Sequence, residues 1–145
     1  MALQEDLNLV MGHVMTISRM ILGERAALTP FAVVMTAPGD VLHISGDADR
    51  EPADTIDRLT AACSAKAKAG EYRAVAIAYD VRIEAPGGTG PEDAVAVNFD
   101  HKDNASVVYC LPYGFSGGEI TMKDPLTDQG EHLIFGQPSG IIRPD

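Results

Sequence analysis

The sequence predicts an α+β domain: an antiparallel sheet made of a β-hairpin plus a three- or four-strand meander, with a long N-terminal helix and a second helix packed on one face. Three observations lead there. Apolar residues near the N-terminus recur at steps of three and four, the period of a helix. A second stripe of that kind sits between two groups of β-runs. The remaining chain is a series of alternating runs whose connections are too short for parallel crossovers. The predicted order is α-β-β-α-β-β-β-β in a single domain, residues 1–145.

In the first segment Leu3, Leu7, Val10, Val14, Ile17 and Ile21 fall on one helical face. Met11, Met15 and Leu22 run beside them, which widens the apolar face beyond what one sheet contact needs. The extra methionines either cover more of the core or meet a second copy of the chain. Thr29-Pro30 stops the helix, and PFAVVMT and VLHIS then read as a hairpin around Ala37-Pro38-Gly39-Asp40. GDADREPAD is a polar loop in which Pro52 suits the first turn of a helix. Ile56, Leu59, Cys63 and Ala67 form that helix's stripe, and Gly70 ends it. YRAVAIAYDVRI, AVAVNFDHK, ASVVYCLPYGF and the shorter EITMK follow as strands, and HLIFG in the tail offers a further edge segment.

The strings PFAVVMTAPGDVLHISGD, EYRAVAIAYDVRI and DAVAVNFDHKDNASVVYCLPY resemble a family of small bacterial proteins. Those proteins share an N-terminal helix, a PFA-type hairpin, a helix, and an AIAYDVR strand followed by an acidic, amide-rich hairpin. The resemblance spans most of residues 28–135 and implies a shared fold. It brings no activity and no functional residues, so the reading of sites rests on this chain alone.

Alternation places Val75, Ile77, Tyr79, Val81 and Ile83 on one face of the long strand, expected to meet the helices, and Ala74, Ala76, Ala78, Asp80, Arg82 and Glu84 on the other. In the next strand Val95, Val97 and Phe99 match the buried set and His101 shares their parity. Asp103-Asn104 reads as a two-residue hairpin turn, which pairs Asn98 with Tyr109, Asp100 with Val107 and His101 with Ser106. The open face is then expected to gather Asp80, Arg82, Asn98, Asp100, Lys102, Tyr109 and Tyr113. That set is either a solvated surface with cross-strand ion pairs or a binding surface for a ligand or partner.

Catalytic motifs fare less well. Gly114-Phe115-Ser116-Gly117-Gly118 has the G-x-S-x-G spacing, and Asp124 or Asp128 before His132 gives the hydrolase order. A nucleophile elbow needs a helix after its serine, whereas EITMK is strand-like, so a glycine-rich turn is expected. Asp47, Asp49 and Glu51 imitate a calcium loop but have Pro52 where glycine is required. Gly87-Gly88-Thr89-Gly90 lacks the lysine of a phosphate loop. His13, His43, His101 and His132 show no ligand spacing. His101 could act as a base oriented by Asp100 or Asp103, but Asp100 points to the other face of the strand. A hydrogen-bonded histidine near the sheet edge is expected instead.

With 21 acidic against 11 basic residues, the net charge of −10 repels phosphate backbones and argues against nucleic acid as a partner. Cys63 and Cys110 lie in apolar contexts, which suits reduced core thiols. The first segment has neither a basic leader nor an uninterrupted apolar span, so a cytoplasmic protein off the membrane is expected. The sequence therefore leads to a non-enzymatic protein-interaction or regulatory module that forms a homodimer with itself or docks another protein, without catalytic set, metal or cofactor. The alternative is a small-molecule binder or hydrolase using the polar sheet face or the Ser116 loop.

Overall fold

The computed structural model describes residues 2–24, 28–47, 49–84, 91–103, 105–117, 119–130 and 134–135. Helix α1 (Ala2–Gly23) leads into strands β1 (Phe31–Thr36) and β2 (Val41–Ser45), then helix α2 (Pro52–Lys68). Strands β3 (Tyr72–Glu84), β4 (Pro91–His101), β5 (Ala105–Ser116), β6 (Glu119–Met122) and β7 (Leu126–Gln129) follow. All pairings are antiparallel, in the order β2-β1-β3-β4-β5-β6, with β7 paired to β5. The α+β class and the predicted element order hold, and β7 adds a strand over LTDQ. Of the expected HLIFG segment only Ile134 and Phe135 are described, and they lie in a turn.

The termination of α2 follows its sequence. Gly70 has φ +79°, and its N–H donates to Ala67 O while that of Glu71 donates to Lys66 O. This pair of bonds satisfies two of the carbonyls a helix end leaves open, and glycine enters that conformation without steric cost.

The helices do not share a face. Val10, Val14, Ile17 and Leu22 of α1 pack with Val33, Met35, Ala76, Val97, Phe99 and Leu111. Leu59 and Cys63 of α2 pack with Ala32, Val34, Val75 and Ile77. Neighbouring strand residues point to opposite sides, so α1 and α2 cover opposite faces, correcting the expectation of two helices on one. The misreading came from treating Ala74, Ala76 and Ala78 as outward. All three are fully buried, and their small side chains let α1 approach the sheet closely. A strand covered on both faces reads as a near-continuous apolar run, and AVAIA is such a run.

The wide face of α1 is used inside the molecule. Leu22 is buried and Met11 and Met15 pack against the core, leaving Leu9 and Met20 exposed. Among the described residues, no helix is long and apolar enough to cross a membrane.

Candidate functional site

The β4–β5 connection decides which polar side chains meet. His101 pairs with Ala105, Asp100 with Ser106 and Asn98 with Val108, so three residues join the strands where two were expected. A one-residue change of register sends every partner to the other face. Tyr109 and Tyr113 accordingly lie on the α1 side. The β3–β4 pairing sets Ala78 opposite Val97 and Asp80 opposite Val95, which puts Asp80 and Arg82 on that side as well. Asn98, opposite Ile77, and Asp100 lie on the α2 side. Lys102 is exposed in the connection, its N–H donating to Arg73 O. The single polar face expected from the sequence is therefore split between two faces and a loop.

On the α1 side the predicted residues form small separate contacts. Tyr113 donates to Asp80 Oδ1 at 2.9 Å. Burial pushes the Tyr113 hydroxyl well above its ordinary range, with Asp80 adding to the effect. Burial also raises Asp80, partly offset by the hydrogen bond from Tyr113. Arg82 lies 3.6 Å from Asp93 with both side chains more than half exposed, a geometry that contributes little.

A buried network at the far end of the same face takes up the histidine. Asp6 of α1, only 2% exposed, accepts at Oδ1 from Arg73 Nη2 at 2.6 Å and at Oδ2 from Arg73 Nε at 3.0 Å. His101 Nε2 donates to the same Oδ2 at 2.8 Å, and the Asp103 N–H donates to His101 Nδ1 at 3.0 Å. The backbone donor assigns the roles of the ring: Nδ1 accepts and Nε2 donates to Asp6. Burial alone would raise the Asp6 carboxyl, but Arg73 and His101 outweigh it and hold it below its usual range. Both ring nitrogens are occupied, so His101 has no lone pair to offer as a base. It points with Phe99, as its parity predicts; the carboxylate hydrogen-bonded to it comes from α1, and that of Asp103 lies 3.8 Å from Nδ1.

The α2 side holds a cavity of about 600 Å³. Tyr79, Asn98, Asp100, Ser106, Thr127, Asp128 and Gln129 give it polar groups, and Ile56, Val108, Cys110 and Leu126 give it apolar wall. Asn98 Nδ2 donates to Tyr79 Oη at 3.3 Å. Asp100 is 3% exposed; its Oδ1 accepts from Ser106 Oγ at 2.6 Å and its Oδ2 from the Ile134 N–H at 2.8 Å. The Gly130 N–H donates to Ser106 O, and a Cβ at Gly130 would run into Ser106, so glycine lets the chain after β7 close against the rim. Burial pushes the Cys110 thiol up and keeps it protonated.

Of the seven predicted residues, Asn98 and Asp100 reach this cavity. Tyr79, Ser106, Thr127 and Gln129 were missed. The available signal was the length of the DHKDNA connection: with three residues in it, Asp100 falls opposite Ser106.

The other motifs resolve locally. Asp47 accepts from the Asp49 N–H and from Arg50 Nε, bracing the loop before α2. The G-x-S-x-G run leads into strand β6, so the helix an elbow requires does not follow. His132, the remaining member of that triad, lies outside the described residues, as do Gly87 to Gly90. Comparison with protein-family models, curated proteins and solved structures found no match for this chain.

Proposed function

We propose that the protein is a small-molecule-binding module whose site is the cavity on the α2 face of the sheet. The observation that carries this reading is a 600 Å³ space walled by apolar side chains and held to a few fixed polar groups, above all Asn98 and Asp100. Ligand sites commonly have that size and that mixture. Binding fits the lining better than turnover, because its thiol stays protonated and its buried carboxylate is committed to two donors. Self-association through α1 has less to support it, since most of the helix's wide apolar face is spent on the core. The proposal places the module in the cytoplasm, where the free thiols of Cys63 and Cys110 stay reduced, and gives it no nucleic-acid partner in view of its net charge.

The test is a ¹⁵N NMR screen with a small-fragment library of mixed charge. Binders are expected to move the amide signals of Asn98, Ser106 and Thr127, and Asn98→Ala is expected to weaken them severalfold while leaving the spectrum dispersed. A library that moves none of these signals, or whose binders collect elsewhere, refutes the assignment.

A further inference from the structure

Among the described residues the two faces of the sheet each bury one carboxylate, and they treat it differently. Asp6 is neutralised within the fold by a bidentate Arg73 and a histidine N–H. Asp100, equally buried, receives one hydroxyl and one backbone N–H, both neutral donors. Among the described residues no lysine, arginine or histidine forms an ion pair with it, and none lines the cavity it faces. A desolvated carboxylate is costly without a counter-charge, and attraction to one is strong in such a place. The cavity adds the Asp128 carboxylate at its margin. Asn98 adds a carbonyl acceptor, its amide N–H being turned toward Tyr79. Val108 and Leu126 supply the apolar wall that a short methylene chain would cover.

We propose that the ligand of this cavity is a small organic cation, an ammonium or guanidinium group seated against Asp100 with its alkyl chain along Val108 and Leu126. This inference rests on the binding reading above and assigns the chemical class of its ligand. The protein's net charge of −10 favours the approach of such a ligand but would favour it everywhere on the surface. The test must therefore separate the site from general attraction.

The probes are butylammonium and butylguanidinium, with 1-pentanol and butyrate as neutral and anionic counterparts, each titrated into ¹⁵N-labelled protein at 150 mM salt. Both cations are expected to shift the amides of Asn98, Ser106 and Thr127 saturably, at least tenfold more tightly than either counterpart. Asp100→Asn is expected to lower cation affinity tenfold or more, and Asp40→Asn, which removes an exposed acid elsewhere, to leave it unchanged. If Asp100→Asn loses its folded spectrum, Asp128→Asn replaces it, with a severalfold loss expected. Equal weakening by Asp40→Asn, or cations binding no better than pentanol or butyrate, overturns the inference. Where pentanol or butyrate alone fills the cavity, the binding module stands and only the ligand class falls. Where no probe of any charge moves these amides, both fall.

Discussion

The two buried acids show what one residue can carry. Asp6 and His101 are 95 positions apart, and their 2.8 Å contact ties α1 to the end of the sheet. His101 was legible as inward-facing from its parity with Phe99, but no local pattern named Asp6, which reads as one more polar residue on an amphipathic helix. Asp6→Asn keeps the shape and removes the charge facing Arg73. Breaking a buried pair costs about 3–5 kcal/mol, and the partial exposure of Arg73 lowers the expected loss to about 2–3 kcal/mol. The sign of its pH dependence follows from the direction of the shift. The folded Asp6 carboxyl titrates below its ordinary value of 3.8, so its contribution is full above that pH and is lost as pH falls through the folded value. Urea unfolding at neutral pH should therefore separate wild type from Asp6→Asn widely, and the gap should narrow as pH falls below the ordinary carboxyl value of 3.8. A gap of the same size at both pH values would mean that the carboxylate charge is not what matters.

At the scale of elements, existence was legible for all but β7, and facing was not. The hairpin PFAVVMT/VLHIS, the α2 stripe ending at Gly70 and the long β3 run all follow from period and turn chemistry, which act over a few residues. The face each element presents depends on what lies above and below it. In β3 alternation separates two sets of residues but cannot say that both sets are covered, because alanine is at home on either side. For α1 the distinction is testable. Val14 is fully buried over the sheet and Leu9 is 52% exposed, so Val14→Asp should abolish the cooperative thermal transition. Leu9→Asp should change stability by about 0.5 kcal/mol or less. Equal tolerance of both substitutions in thermal melts would contradict the packing of α1 described here.

For the whole molecule, an excess of ten negative charges on 145 residues makes self-repulsion part of its stability. The exposed ion pairs of Arg50 with Asp47 and Asp54 do little to offset it. Raising salt from 0.01 to 0.1 M shortens the screening length from about 30 Å to about 10 Å. Tm should rise by roughly 2–5 °C in scanning fluorimetry, about 1 kcal/mol for a domain of this size. A fall would mean that attractive pairs dominate the surface. Charge, class and element order belonged to the sequence alone, because they arise from composition and from contacts between near neighbours. Which faces are covered, which acid finds a cation and where the cavity opens depended on a three-residue connection in place of a two-residue one and on contacts between residues far apart in the chain. The tertiary structure decided those, since the pleat turns a single step of register into a change of face.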